Sequence, residues 1–350
     1  MATCRSCRTA SRLISEKLGL CRDCALKEEL GELKAIHDTI REKLQLGSGQ
    51  GGLKKICNYC LNECHPQEGS ASFCGLKRVE NGEVKSLTNS QHALLHAYKD
   101  RLPTNCCSSW FCPRGTNPPP RSYNLAVFFY CCTFHCLFCQ NHSHWYPQPN
   151  NAVHVNEMVD WVKQDESIAC VCYFGGTPEP HFPFALEFSR RIAEEVPREI
   201  PICFEWNGSG RRDLVLEAAK FSIESGGNIK FDLKAWSEPL HVALTGHTNQ
   251  ITLDNFSAVA NLDNSRNDPF LTATTLLVPG YVTREEVEQI AAFIAGHDPN
   301  IPYSLLVFHP GYLMRDLPVT PRQQALECYE IAKKHLNQVH LGNVTLLGLL

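Results

Sequence analysis

The amino-acid sequence predicts an α/β fold, a partial (β/α)6 barrel of the TIM type preceded by cysteine-rich modules. Three observations carry this. From about residue 123 onward, apolar strand-like runs alternate with segments of helical periodicity. There are six such units, fewer than the eight that close a barrel, so the sheet should stay open. The preceding residues show no such alternation and hold closely spaced cysteines instead.

The strand candidates are Asn124–Tyr130, Ile168–Phe174, Pro201–Trp206, Ile229–Leu233, Phe270–Val278 and Ser304–Phe308. The helix candidates are 156–165, 181–196, 211–223, 252–262, 283–296 and 320–336. Ahead of them, 1–46 reads as a small cysteine module plus a helix over 26–46, with Leu26, Leu30, Leu33, Ile36, Ile40 and Leu44 at helical spacing. Gly47-Ser-Gly-Gln-Gly-Gly52 reads as a flexible linker. Residues 53–122 form a cysteine-rich accessory region and 123–350 the barrel. In parallel β/α folds ligands gather at the C-terminal strand ends, so motifs there carry most weight.

With 43% hydrophobic residues and moderate Gly and Pro, the 350-residue chain should be globular. A formal charge of −4 without a long Lys/Arg run disfavours a broad nucleic-acid-binding face, leaving a local basic patch open. The polar, cysteine-bearing stretch Met1–Cys7 has no apolar core of an export signal, and no apolar run is long enough to span a bilayer. A cytoplasmic protein is therefore expected, in which 19 cysteines, many in close pairs, serve metals rather than disulfides.

Cys132-Thr-Phe-His-Cys136-Leu-Phe-Cys139 follows the first barrel strand directly. Three thiolates on one loop can bind three irons of a four-iron cluster and leave the fourth open to the amino and carboxylate groups of S-adenosylmethionine (SAM). Phe138 suits a backbone–aromatic contact with adenine. The competing reading is a zinc site completed by His135 or Cys131.

Several motifs in order resemble the radical SAM superfamily, specifically its pyruvate formate-lyase-activating-enzyme-like members, nearest the radical SAM component of the AmmeMemoRadiSam system. They are Cys57-Asn-Tyr-Cys60 with Cys64 and Phe73-Cys74-Gly75-Leu76, then Cys132–Asn141, then Gly175-Gly176-Thr177-Pro178-Glu179-Pro180. Phe231-Asp232-Leu233-Lys234-Ala235, Leu277-Val278-Pro279-Gly280, His309-Pro310-Gly311-Tyr312 and Leu341-Gly342-Asn343-Val344 follow. The resemblance implies an iron–sulfur oxidoreductase that cleaves SAM reductively, fed by a flavodoxin or ferredoxin, and abstracts hydrogen from a substrate at the barrel mouth. That substrate is not readable; a glycyl residue of a partner protein is what the resemblance suggests. An RNA-modifying enzyme is the alternative, and a non-catalytic multi-zinc adaptor is the alternative from another class.

Residues expected near SAM are Gly175 and Gly176, where a missing Cβ admits close ligand approach. The insertion of Thr177-Pro178 leaves the role of Glu179 open. Glu205 and Asn207 at the third strand's end are candidates for ribose hydroxyls. Asp232 and Lys234 alternate onto one face, either as SAM or cluster contacts or as a structural pair. His309 ends the sixth strand and resembles a late-strand histidine near SAM in activating enzymes.

Cys4, Cys7, Cys21 and Cys24 form two CxxC knuckles suited to a structural zinc. Cys57, Cys60, Cys64 and Cys74 make a second four-ligand set, open to zinc or an auxiliary cluster. Cys106, Cys107 and Cys112 are open between a further metal, a place near substrate, and buried reduced thiols. Cys170, Cys172, Cys203 and Cys328 read as packing residues.

Overall fold

The computed structural model describes residues 1–103, 106–263, 266 and 268–348. The chain begins with two short antiparallel strands, β1 (Ala2–Thr3) and β2 (Ala10–Ser11), then α1 (Arg22–Ala25) and α2 (Leu30–Lys43). The helix expected over 26–46 therefore starts later and buries Leu33, His37 and Arg41, an i, i+4, i+8 stripe, rather than a purely apolar one. The polar members have partners. Arg41 donates to the carbonyls of Gly47 and Phe73 and lies 3.5 Å from the Phe73 ring centre, and His37 meets the loop carrying Cys132.

The 47–52 segment is not a free tether, which corrects the linker reading. Gly52 donates to His65 at 2.6 Å and His65 to Gly49 at 2.7 Å. A Cβ on Gly52 would lie 2.3 Å from the Pro66 carbonyl oxygen, and one on Gly47 2.6 Å from that of Ala71. These glycines allow close backbone approach rather than flexibility.

A hairpin follows, β3 (Lys77–Glu80) and β4 (Glu83–Ser86), turned by Asn81-Gly82, both left-handed as a two-residue hairpin loop favours. The main sheet holds β5 (His92–Arg101), β6 (Tyr123–Phe129), β7 (Ala152–His154), β8 (Ile168–Phe174), β9 (Ile202–Trp206), β10 (Ile229–Asp232), β11 (Leu271–Leu277), β12 (Tyr303–Val307) and β13 (Val339–Gly342). Their order is β13-β12-β11-β10-β9-β8-β6-β5-β7. From β6 to β13 every pairing is parallel, while β5 and β7 add an antiparallel margin. The two edge strands do not pair, so the barrel stays open, as six units implied.

The connecting helices are α3 (Pro113–Thr116), α4 (Val155–Gln164), α5 (Phe182–Glu195), α6 (Arg212–Ser225), α7 (Glu238–Thr245), α8 (Gln250–Ala260), α9 (Arg284–Ala295) and α10 (Arg322–Ala332). The strands alternate with period two. One face carries Tyr173, Phe204 and Phe231, fully buried with the aromatics of the helices. The other carries Cys170 and Cys172, Cys203 and Glu205, Lys230 and Asp232, and Thr274, which line interior cavities. This division sends polar side chains inward to the site.

The N-terminal module is docked on the barrel. Tyr281 donates its hydroxyl to the Leu20 carbonyl (2.7 Å) and accepts from the Ser15 amide (2.9 Å), while the Glu16 amide donates to Asp316 (2.7 Å). Among the described residues no helix is long and apolar enough to cross a membrane.

Candidate active site and metal centres

The loop bearing Cys132, Cys136 and Cys139 leaves the C-terminal end of β6. The residues between the cysteines anchor it: Thr133, Phe134, Leu137 and Phe138 are buried. The His135 amide donates to the Thr245 carbonyl (2.9 Å) and that of Leu137 to Leu244 (3.0 Å), tying the loop to the end of α7. Asn207 and Ser209 donate to the Thr133 hydroxyl at 2.7 and 2.8 Å, and Asn62 to its carbonyl at 2.9 Å. Held in this way, the loop turns all three thiols into one cavity of about 260 Å³.

That cavity is also lined by Phe138, Gly175, Gly176, Glu205, Asn207, Asp232 and Lys234. The structure thus brings together, at the C-terminal strand ends, every residue expected at the cofactor site except His309. The His309 side chain is exposed and outside this lining; only its carbonyl reaches the region, accepting from Gln140 at 2.9 Å. The strand ends at Val307, so two further residues carry His309 past the rim.

Neither alternative fourth donor joins the three cysteines. Cys131, left-handed at φ 72°, packs with Leu76 and Leu94 instead. His135 faces His37, with the two Nδ1 atoms 3.4 Å apart. Since His37 Nε2 donates to the Ala243 carbonyl (3.0 Å), its Nδ1 is the acceptor and His135 Nδ1 the donor. Burial pushes His135 down to about 2 and His37 to about 4, so both rings are neutral. Burial pushes each thiol of Cys132, Cys136 and Cys139 up to about 12. Thiolates in this place therefore need a cation's charge beside them, which suits iron ligands and not free nucleophiles.

The glycine pair has a reason in the protein itself. A Cβ on Gly176 would fall 1.9 Å from the Cys131 carbonyl oxygen, and one on Gly175 2.3 Å from Asn141 Nδ2. Glu179, left open by the sequence, is fully buried and points away from the cavity: it accepts from the Thr177 hydroxyl and from the Ser209 amide (3.2 Å). It staples the loop after β8 to the loop after β9, and burial pushes its carboxyl up to about 7.

Asp232 and Lys234 form an ion pair at 2.6 Å, with the Lys234 ammonium 5.5 Å from the Phe138 ring centre. Burial works against that charge, but Asp232 and Cys136 hold the ammonium above its ordinary range. Glu205 pairs with Lys230 at 2.6 Å and accepts from Cys106 at 2.8 Å. Lys230 was missed in the sequence, although it stands two residues before Asp232 on the same alternating face.

Among the described residues, the Cys4, Cys7, Cys21 and Cys24 sulfurs all lie within 4.8 Å of one another. The 3.7 Å between Cys7 and Cys21 matches the roughly 3.8 Å edge of a tetrahedron with ~2.3 Å metal–sulfur bonds. Burial raises the Cys4 thiol, but amide donors from Cys7, Cys21 and Ser6 outweigh it and bring it to about 6. Cys57, Cys60, Cys64 and Cys74 line one small cavity of about 10 Å³, but their sulfurs do not all lie within 4.8 Å of one another, a looser set than the first.

Residues 126–294 match the family described as the radical SAM superfamily. A candidate glycyl-radical enzyme activating enzyme of Methanocaldococcus jannaschii is 25% identical over 223 residues, 62% of this chain and 80% of that protein. Crystal structures of Streptococcus suis SuiB are similar more distantly. The complex with the precursor peptide SuiA has a TM-score of 0.47 and 14% identity, covering 62% of this chain and 48% of SuiB. The S-adenosylmethionine complex has a TM-score of 0.46 and 13% identity, covering 63% and 47%. The chain thus spans about half the length of SuiB. With the match beginning inside β6 and running to the end of α9, around a three-cysteine loop at the strand ends, the chain carries a radical SAM domain over residues 126–294 and is an enzyme.

Proposed function

We propose that Cys132, Cys136 and Cys139 hold a [4Fe–4S] cluster with SAM on its open iron, and that the enzyme takes hydrogen from a residue of a protein substrate, a glycyl residue being the leading class. The observation that carries this is the convergence of the three thiols with Gly175, Gly176, Asn207, Asp232 and Lys234 in one cavity, with no fourth donor from Cys131 or His135. The cluster and SAM supply, when bound, a reductive cleavage that ends in a carbon-centred radical.

The chain's own part is positional. Lys234 places a buried positive charge beside the thiols, fitted to an anionic cluster or a carboxylate. Asn207 braces the loop through Thr133 with its amide nitrogen 3.8 Å from Cys132 Sγ. The name of the Methanocaldococcus relative supports the glycyl class of substrate. A flavodoxin or ferredoxin would supply the electron. At the accessory sets, a structural zinc suits the compact Cys4 group, and a second sulfur-ligated centre, zinc or a cluster, suits Cys57, Cys60, Cys64 and Cys74.

The test is anaerobic reconstitution with SAM and dithionite. Wild type should release 5′-deoxyadenosine and methionine, and Cys132→Ala, Cys136→Ala and Cys139→Ala should each abolish release. Full turnover in any of the three defeats the proposal.

A further inference from the structure

Between β5 and β6 the chain crosses the concave side of the open barrel instead of running along its edge. Trp110 Nε1 donates to the Ser304 hydroxyl on β12 (2.9 Å), that hydroxyl donates to the Cys107 carbonyl (2.8 Å), and the Trp110 ring stacks on His340 of β13. This crossing brings Cys106 and Cys107 against Glu205 on β9. Cys106 Sγ lies 2.8 Å from one carboxylate oxygen and Cys107 Sγ 3.6 Å from the other. Among the described residues this is one of two sets whose donor atoms all lie within 4.8 Å of one another; the other is the four-cysteine knuckle at the N-terminus.

We infer that Cys106, Cys107 and Glu205 form a further metal site, for a zinc-class divalent cation, distinct from the cluster and from both four-cysteine sets. Two thiolates and a carboxylate suit a borderline-soft ion, and three protein donors leave a coordination position open, unlike a structural zinc. Charge supports this. The two thiolates and the carboxylate carry three negative charges, and a divalent ion with the Lys230 ammonium, 2.6 Å from Glu205, carries three positive ones. A buried centre must be close to neutral, and this one is. Glu205 is 8% exposed, so the anchor is built into the core and is not a surface carboxylate.

The surroundings have the form of an outer shell. Thr274 donates its hydroxyl to Cys107 Sγ (3.3 Å), the Ser108 amide donates to Cys106 Sγ (3.3 Å), and Lys230 fixes the carboxylate. Such contacts orient ligands. Glu205, Lys230 and Thr274 also line the cavity that holds Cys132, Cys136 and Cys139. The ion would therefore sit in the floor of the reaction cavity, able to take a donor group of the substrate as its remaining ligand. Holding such an ion needs no radical chemistry, so the site stands or falls separately from the reaction proposed above.

The direct test is anomalous scattering at the zinc edge from crystals of the full-length, anaerobically reconstituted protein supplied with Zn2+. A peak within bonding distance of Cys106, Cys107 and Glu205, beside the one at Cys4, is expected. A peak at the Cys4 set with none at Glu205 overturns the inference. Zinc per chain should also fall by one in Cys107→Ser and in Glu205→Gln with iron per chain unchanged. Unchanged zinc in both variants overturns it; if a variant also loses iron through misfolding, the wild-type crystal decides.

Discussion

Replacing Glu179 by glutamine separates one buried carboxyl from everything else that titrates. Its side chain is 0% exposed, held between the Thr177 hydroxyl and the Ser209 amide, and burial raises its pKa from 4.5 to about 7. The unfolded chain therefore ionises this group first. The stability associated with it is fully present below about pH 4.5 and is lost as pH rises through 7. The move from 4.5 to about 7 is worth roughly 3.4 kcal/mol, of which about 2.5 kcal/mol falls between about pH 5 and 8. The buried histidines act in the opposite sense. His37, His181 and His241 are each held near 4 by burial and withdraw stability as pH falls below about 6.5, so the wild-type profile alone would mix the two. The difference between wild type and Glu179→Gln removes that mixture, since glutamine keeps an acceptor for Ser209 and Thr177 can turn its hydroxyl. Anaerobic urea unfolding across this range should show the variant gaining about 2.5 kcal/mol on wild type from about pH 5 to 8. A difference that stays constant to within about 0.5 kcal/mol would refute the reasoning, because the carboxyl would then be solvated or ionised in the native state.

Other expectations follow from single contacts. Gly176→Ala should cost the protein most of its cluster iron, since the new Cβ would meet the Cys131 carbonyl at 1.9 Å, whereas Gly31→Ala, with nothing within 4 Å, should leave iron content intact; iron per chain reads both. Lys234→Met should weaken SAM binding by about tenfold or more, ~1.4 kcal/mol, in anaerobic equilibrium dialysis, and an unchanged Kd would assign the Asp232–Lys234 pair to structure alone. Tyr281→Phe leaves the Leu20 carbonyl and the Ser15 amide unpaired in the interior, so it should destabilise the docked N-terminal module by about 2 kcal/mol, read as faster proteolysis ahead of α2.

Much of the barrel was legible because its strands and helices carry their own periodicity. Ile168–Phe174 was expected and found with the same bounds, and the six expected helices lie within two residues of their places at the N-terminal end. The three-cysteine loop was legible for a similar reason, being local in sequence and placed after a strand. Elements whose reason lies elsewhere in the fold were not. β5, His92–Arg101, is charged and largely exposed along much of its length, and it is a strand because β6 and β7 pair with it. α7 is eight residues long and follows Lys234 in a stretch for which no helix was expected. The glycines at 47–52 looked like slack because sequence does not show the His65–Ser72 backbone against which they lie. The same holds for the interior. Cys170, Cys172 and Cys203 read as packing residues, yet they share a cavity with Cys106, Cys112 and Glu205, which only the crossing of the 106–121 segment brings about.

Mössbauer spectroscopy of the 57Fe-reconstituted protein, with and without SAM, bears most directly on the three-cysteine site. If Cys132, Cys136 and Cys139 are the protein ligands of the cluster, one iron of that cluster should stand apart and change its isomer shift when SAM is added, while every other iron in the protein stays as it was. A spectrum in which no iron responds to SAM would mean that a further protein donor completes the centre, and the assignment would fall.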